Sequence, residues 1–318
     1  MKLGLRLPQR LGVDLRHDLV EAARTAEAAG YASLWTYERL LFPVTPVEPY
    51  AGTNTPWPEH SRQAADPLAV LTAAAVVTEK VRLGTSVLVA ALHTPVQLAK
   101  ALATIDQISG GRVVAGLAPG WSTDELQATG ATQADRGRFL DETLDVFDAV
   151  WGPDPVTFRS PRVIVDKAAI LPKPASKIPV MLGGGGSNLG RSTSSAAVRR
   201  IAERADGWLP ILNATGPAGA AELRASWNRI REMASEYGRD ASQMQMVVVG
   251  NVTFTDRPAG ADRFPFVGSL DQILDDVATA EEAGADELLV DLNLQDWFTS
   301  THQMLETAIE IRERAAVS

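Results

Sequence analysis

The sequence predicts an α/β fold in which eight parallel strands alternate with helices and close into a (β/α)8 TIM barrel with loop insertions. Three observations lead to this prediction. Short apolar stretches of strand length alternate with longer stretches of helical periodicity along the whole chain. Such alternation is typical of a parallel sheet, and eight repeats are the number that closes a barrel. No change of composition divides the 318 residues, so we expect one domain over residues 1–318. A doubly wound open sheet is the alternative.

The first four strand–helix units are predicted from periodicity and from turn residues. Predicted strands cover Lys2–Leu7, Ser33–Tyr37, Val81–Ala90 and Arg112–Leu117, and predicted helices cover Asp18–Ala29, Pro67–Thr78, Pro95–Ile108 and Arg138–Trp151. Asp66 is suited to cap a helix that has Pro67 at its first position. A proline-rich segment runs from Glu38 to Asp66, and loops of this length are usually functional.

The second half of the chain continues the pattern after an excursion. The excursion, Val156–Pro174, contains two short extended pieces. Predicted strands then cover Pro179–Leu182, Trp208–Ile211, Gln245–Phe254 and Glu287–Leu292. The predicted helices begin at Ser194 or Ser195, at Pro217, at Leu270 and at Thr299.

A run of glycines after the fifth predicted strand is a candidate phosphate site. It consists of Gly183, Gly184, Gly185, Gly186 and Ser187, and a helix follows it. Glycines let a backbone approach a phosphate closely, and a helix N-terminus offers free N–H donors. The spacing matches neither a P-loop nor a dinucleotide fingerprint. A βα loop without a ligand is the alternative.

Composition excludes several classes of protein. The net charge of −9 and the pI near 5.1 argue against a nucleic-acid surface. No run approaches the ~20 apolar residues of a membrane span, and no secretion signal is present, so we expect a cytoplasmic protein without membrane contact. The chain has no cysteine, which excludes disulfides and thiolate metal sites. His17, His60 and His302 are too scattered along the sequence to predict a metal site.

In such barrels the active site lies at the carboxyl ends of the strands, which yields three candidates for catalysis. Glu38 and Arg39 form an adjacent acid–base pair after the second strand, and His93 follows the third. A carboxylate or an imidazole can move a proton, and a guanidinium can hold an anion. The alternatives are an ion pair at the barrel rim and a solvated histidine. Trp121, after the fourth strand, is placed to stack on a ring or to plug the barrel mouth.

Several stretches, in order along nearly the whole chain, resemble one known family. They include Gly30-Tyr-Ala-Ser-Leu-Trp35, Val81-Arg-Leu-Gly-Thr-Ser86, Ala103-Thr-Ile-Asp-Gln-Ile-Ser-Gly-Gly-Arg112, Gly120-Trp121 and Ala205-Asp-Gly-Trp208. In these stretches the chain resembles the bacterial-luciferase-like superfamily. Within it, the chain is most similar to the subgroup of oxidoreductases that use the deazaflavin coenzyme F420.

The resemblance implies a barrel, commonly dimeric, with a flavin-type ring across its mouth. It implies a non-proline cis peptide at Ser86-Val87 that supports the ring, and a phosphate at Gly183–Ser187. We therefore predict that Tyr37, Ser86, Val87, Gly120 and Trp121 contact the cofactor together with the glycine run. The family often has Asp-His or Glu-His after strand two, whereas this chain has Glu38-Arg39. Because arginine does not deprotonate at working pH, Arg39 cannot be a general base.

The predicted function is hydride transfer between F420 and a small organic substrate. Glu38 or His93 would move the proton, and Arg39 would orient an anion. One alternative is an FMN-dependent monooxygenase that uses reduced flavin and O2 and needs a flavin reductase as partner. Another is a barrel that binds a ligand without catalysis, and a phosphate-binding lyase or isomerase is a third. A homodimer is expected in each of the redox cases.

Overall fold

Eight parallel strands form a closed barrel in the computed structural model, which describes residues 1–10, 12–50, 55–184, 195–294, 298 and 300–315. The strands are β1 Lys2–Arg6, β2 Ser33–Thr36, β3 Arg82–Thr85, β4 Val113–Ala118, β5 Val180–Gly183, β6 Gly207–Leu209, β7 Gln245–Asn251 and β8 Glu287–Asp291. Each strand pairs with the next along the chain. The pairing of β8 with β1 closes the sheet, which confirms the predicted (β/α)8 barrel.

Helices surround the barrel. They are α1 Asp18–Ala28, α2 Pro67–Val77, α3 Pro95–Ser109, α4 Thr123–Ala128, α5 Arg136–Trp151, α6 Ser195–Arg204, α7 Gly216–Glu236, α8 Leu270–Glu282 and α9 Thr301–Ala315. The short α4 was not among the predicted helices. It forms because the Ser122 hydroxyl caps its first turn by accepting from the Glu125 amide.

Two predicted strands end earlier than expected. β3 ends at Thr85, a cis peptide joins Ser86 to Val87, and a short extended piece, Leu88–Val89, then pairs with β4. β7 ends at Asn251, and Thr253–Phe254 pairs instead with Val267–Gly268. Apolar composition alone did not reveal either break, since both pieces continue the β-rich pattern.

The core has two parts, one inside the barrel and one between the barrel and the helices. The inner part is Trp35, Val114, Met181, Leu209, Val247, Val249 and Leu289. The outer part includes Leu5, Leu34 and Leu288, which alternate with inward residues along their strands. Gly84 is required here, because a Cβ at this position would lie 2.2 Å from the Trp35 ring. The barrel interior is therefore filled by side chains, and the only faces left for chemistry are its two ends.

Two further features lie outside the barrel wall. The excursion between α5 and β5 forms an antiparallel hairpin of Val156–Arg159 and Ile164–Ala168; the sequence predicted two extended pieces here, the second at Arg162–Val165, but not their pairing. Among the described residues, no helix has both the length and the apolar character needed to cross a membrane.

Candidate active site

Glu38 and His93 meet at the carboxyl end of the barrel. The Glu38 Oε1 atom lies 2.7 Å from His93 Nε2, and Glu38 Oε2 accepts from the Val89 amide at 2.6 Å. Glu38 follows β2, whereas Val89 and His93 follow β3, so the neighbouring strands bring the groups together. Both carboxylate oxygens are thus engaged, and the Glu38 side chain is only 6% exposed. The pair is held as a buried unit with its histidine partly open, at 19% exposure.

The charge of Glu38 controls the protonation of His93. Burial disfavours the imidazolium, but the hydrogen bond and the negative charge of Glu38, with a contribution from Asp66, outweigh it. The pKa of His93 is therefore raised above its usual value of about 6.5. The imidazolium of His93 therefore persists to higher pH than that of a free histidine, and histidine is a common acid–base group in catalysis.

Arg39 has a partner of its own on α4. Its Nη1 atom donates to Glu125 Oε2 at 2.6 Å, and Glu125 Oε1 accepts from the Leu40 amide at 2.7 Å. The exposed fractions of the Arg39 and Glu125 side chains are 14% and 4%. Burial raises the pKa of Glu125, although the positive charge of Arg39 opposes the shift. The predicted contact of Arg39 with an anion remains a prediction.

Three aromatic rings surround the Arg39 guanidinium. Its central carbon lies 4.7 Å from the centroid of Trp121, 5.3 Å from that of Trp57 and 5.7 Å from that of Tyr50. The rings also contact one another, with centroids 5.2 Å apart for Trp57 and Trp121 and 5.5 Å for Tyr50 and either tryptophan. We call Tyr50, Trp57 and Trp121 the aromatic wall. Trp121 therefore lies against the long loop after β2, at the barrel rim.

The structure contains the non-proline cis peptide at Ser86-Val87 that the family resemblance implied. Arg6, the last residue of β1, holds this position from below: its Nη2 atom donates to the Ser86 carbonyl at 2.7 Å and to Ser86 Oγ at 2.9 Å. Its Nη1 atom donates to Asp291 Oδ2 at 2.5 Å, and Asp291 Oδ1 accepts from the Asn293 amide. This buried network ties β1, β3 and β8 together at the mouth of the barrel.

Tyr37 lies above the same network. Its ring centroid is 5.7 Å from the Arg6 guanidinium carbon, and its backbone is held by the Gln9 side chain at both N–H and carbonyl. Burial, together with the charge of Asp291, raises the pKa of the Tyr37 hydroxyl well above its usual range. The phenol is therefore neutral at working pH.

Two glycines at the barrel mouth allow the chain to pack closely against the segment that follows β3. A Cβ at Gly183 would lie 3.0 Å from Val87 Cγ1, and one at Gly120 would lie 2.5 Å from Val89 Cγ1. Gly184 has a φ of +89° and accepts from Trp208 Nε1 at 2.6 Å through its carbonyl. Gly185, Gly186 and Ser187 lie outside the described residues. Val87 and Gly183 are thus in close contact, as are Val89 and Gly120, and the small residues at these positions leave the backbone of the mouth accessible.

Sequence reasoning missed the partners rather than the strand ends. Arg6, Asp291 and Glu125 were not among the predicted site residues, yet Arg6 binds Ser86, Glu125 binds Arg39, and Asp291 binds Arg6 in turn. Arg6 and Asp291 carried a signal, since each is a charged residue at an inward position of a buried strand. Glu125 carried no local signal, because its short helix was not predicted.

Known proteins resemble the chain in sequence. The first curated relatives are uncharacterized mycobacterial proteins; that of Mycobacterium tuberculosis is 33% identical over 191 residues, which are 59% of this chain and 65% of its own length. The chain thus spans less than two thirds of these relatives. An F420-dependent glucose-6-phosphate dehydrogenase of Nakamurella multipartita is 26% identical over 292 residues, which are 89% of this chain and 79% of that protein.

Solved structures share the fold. An F420-dependent secondary alcohol dehydrogenase superposes with a TM-score of 0.75 at 18% identity, over 99% of both chains. The oxygenating constituent of 3,6-diketocamphane monooxygenase from Pseudomonas putida, in complex with FMN, superposes with a TM-score of 0.73 at 17% identity, over 100% of this chain and 98% of the other. The family model of the luciferase-like monooxygenases matches residues 1–264. The chain therefore belongs to the luciferase-like monooxygenase family.

Proposed function

We propose that the protein is an oxidoreductase that transfers a hydride between coenzyme F420 and a small organic substrate, with His93 as the proton-transfer group. The observation that supports this proposal is the 2.7 Å contact between Glu38 and His93 beside the barrel mouth. When bound, the deazaflavin supplies a two-electron hydride acceptor or donor. The protein must then move one proton to or from the substrate oxygen.

Glu38 and His93 divide this task. Glu38 is the positioning group, since its two oxygens already accept from Val89 and contact His93 Nε2. Nδ1, the ring nitrogen that does not face Glu38, is the atom that exchanges a proton with the substrate. In alcohol oxidation the hydroxyl proton goes to His93 while the hydride leaves the substrate carbon, and in carbonyl reduction His93 returns the proton. The raised pKa of His93 suits both directions near neutral pH.

The residues proposed to hold the cofactor surround the barrel mouth. They are Ser86 and Val87 after β3, Gly120 and Trp121 after β4, and Gly183 and Gly184 at the end of β5. Gly185, Gly186 and Ser187 complete the predicted phosphate site. The F420-dependent relative that matches most of the chain supports the deazaflavin. The FMN-bound structural neighbour and the family's name keep an FMN-dependent monooxygenase, supplied by a flavin reductase, as the alternative.

Cofactor titration tests the proposal and separates it from the alternative. F420 and FMN are each added to the purified protein while tryptophan fluorescence is followed. We expect saturable quenching by F420 at lower concentration than by FMN. Subsequent reduction of bound F420 by an alcohol, seen as loss of its visible absorbance, would support hydride transfer. Tighter binding of FMN, followed by O2 consumption when reduced FMN is supplied, would favour the monooxygenase.

The pH profile of turnover should report the Glu38–His93 pair. Neutral His93 accepts the proton in alcohol oxidation, so kcat/KM should rise with pH through the raised pKa of His93. Glu38→Gln removes the negative charge that favours the imidazolium but keeps an acceptor for the Val89 amide. The midpoint of the rise should therefore move to lower pH, with a lower plateau. A midpoint that is the same in both proteins would show that another group titrates.

We also propose that the chain forms a homodimer through the outer face of α2. This helix contains no charged residue, and Val76 on its surface is 70% exposed. Ile108 on the adjacent α3 is 47% exposed. Apolar surface of this kind is commonly covered by a partner, here a second copy. Light scattering should give twice the mass of the chain, and Val76→Glu should give the monomer mass; unchanged mass in the variant would exclude this face.

A further inference from the structure

Three arginines at the barrel mouth and in the long loop are each bonded to a carboxylate. Arg39 binds Glu125 at 2.6 Å and Arg6 binds Asp291 at 2.5 Å, and both pairs are buried. Arg62, whose guanidinium carbon lies 4.6 Å from the centroid of the Phe42 ring, binds Glu59 at 2.8 Å. Each of these three guanidinium groups is therefore already paired with a carboxylate. A substrate anion would have to compete with a carboxylate for any of these three guanidinium groups.

Release of Arg39 would be especially unfavourable. Glu125 is nearly fully buried, so the departure of Arg39 would leave a carboxylate unpaired in a site of low polarity. The three rings of the aromatic wall would also lose their contact with the cation. The guanidinium thus behaves as part of the wall, and an anionic substrate would gain less from it than the protein loses.

The aromatic wall lies next to the proton-transfer pair. Trp121 follows Gly120, and Gly120 packs so closely on Val89 that a Cβ would overlap its side chain. The amide of that same Val89 donates to Glu38. Arg39, which contacts Trp121, is the residue after Glu38. The wall is therefore connected through Gly120, Val89 and Arg39 to the Glu38–His93 pair, and it offers apolar surface to a substrate.

The long loop is fixed to α4 by further bonds that keep the wall in place. The Glu48 carboxylate accepts from the Thr123 amide and, at 2.8 Å, from the Thr123 hydroxyl. The Val47 amide donates to Asp124 Oδ2 at 3.0 Å, and Trp57 Nε1 donates to the Glu48 carbonyl at 3.1 Å. Together with the buried Arg39–Glu125 pair, these hydrogen bonds join the loop to α4.

We propose that the site takes an uncharged alcohol or carbonyl compound with an apolar ring or chain, and that Arg39 is a positioning residue for the aromatic wall. This inference rests on the proposed function for the reaction that follows binding. It separates the chain from its relative that acts on glucose 6-phosphate, since a phosphate ester needs a cation that is free to bind it. The wall supplies apolar contact to either face of such a substrate.

A matched pair of probes tests the substrate class without any cofactor. Benzyl alcohol and benzyl phosphate share a ring and differ in charge, and their binding is followed by the emission of the tryptophans. We expect benzyl alcohol to half-saturate at a concentration at least about tenfold lower than benzyl phosphate, with little dependence on salt. Equal or tighter binding of benzyl phosphate would overturn the proposal, and so would the absence of any response to benzyl alcohol.

Variants of Arg39 test the positioning role. Arg39→Met leaves Glu125 unpaired, so the matched double variant Arg39→Met/Glu125→Gln removes both charges and keeps an acceptor for the Leu40 amide. We expect the double variant to regain thermal stability. It should nevertheless bind benzyl alcohol about tenfold more weakly than the unmodified protein, with tryptophan emission shifted to longer wavelength. Loss of benzyl phosphate binding alone, with benzyl alcohol unaffected, would instead make Arg39 an anion site.

The outcome for the proposed function is read separately. If the probes behave as expected but F420 neither binds nor is reduced, the hydride-transfer proposal fails while the uncharged site stands. If F420 is reduced with glucose 6-phosphate as readily as with benzyl alcohol, the hydride-transfer proposal stands and the substrate class is overturned.

Discussion

Replacing His93 with glutamine should lower kcat for hydride transfer by about 10²–10⁴-fold, the range that a positioned acid–base group contributes. Glutamine keeps a polar group that can bond to Glu38 Oε1, so the buried carboxylate retains a partner. It cannot accept and release the substrate proton at neutral pH. Cofactor affinity should stay unchanged, because His93 is not among the residues proposed to hold the ring. Steady-state kinetics and F420 titration on the same preparation measure both quantities.

His17 offers a matched control for this substitution. It also binds a carboxylate, with Nδ1 2.7 Å from Asp14 Oδ2, but it lies on the surface with 71% of its side chain exposed. His17→Gln should leave kcat unchanged. A His93→Gln protein that keeps its folded structure and its full kcat would remove His93 from the mechanism. The carboxyl groups of Glu38 and Glu125 would then be the next candidates.

Replacing Asp291 with alanine should lower the free energy of unfolding by about 3–5 kcal/mol, since it strands the charge of a buried arginine. Arg6 is buried, and Asp291 is its carboxylate partner at 2.5 Å. The same residue also accepts from the amide and side chain of Asn293, so the loop after β8 loses its anchor. Urea unfolding followed by circular dichroism gives the difference in free energy.

Two comparisons make this prediction specific to the buried charge. The double variant Arg6→Met/Asp291→Leu removes both charges and should recover most of the lost stability. Because it lacks the donors to Ser86, it should still bind the cofactor more weakly. Asp271→Ala breaks an exposed pair with Arg314 and should cost less than about 1 kcal/mol. A similar loss in Asp271→Ala and Asp291→Ala would contradict the role of burial.

The fold could be predicted because its signals are local. Strand and helix periodicity, capping residues such as Asp66 and closing glycines such as Gly110 depend on neighbours along the chain. The Asp66 carboxylate indeed accepts from the Ala69 amide at the start of α2. Boundaries were wrong where tertiary contacts interrupted a continuous pattern. β3 stops at Thr85 although apolar residues continue, and the next extended piece, Leu88–Val89, pairs with β4 instead.

The site was predicted in its positions but not in its pairings. Glu38, Arg39 and His93 were chosen because they follow strands whose carboxyl ends share one face of a barrel. An ion pair between Glu38 and Arg39 was the alternative to a catalytic role. In the structure Glu38 faces His93, 55 residues away, and Arg39 faces Glu125, 86 residues away. Adjacent residues at the end of a strand point in opposite directions, so their side chains reach different neighbours.

The amino-acid sequence was sufficient to predict the barrel and the family, and to propose the end of the barrel at which the chemistry takes place. These predictions depend on hydrophobic periodicity, on the residues that follow each strand and on the order of the motifs, and all three can be read from the sequence. The pairing of the charged groups became evident only from the three-dimensional contacts. A buried carboxylate is stabilised when a cation lies within reach, and which cation lies within reach depends on the distances between strands. Arg39 therefore pairs with Glu125 and Arg6 pairs with Asp291, while His93 lies against Glu38.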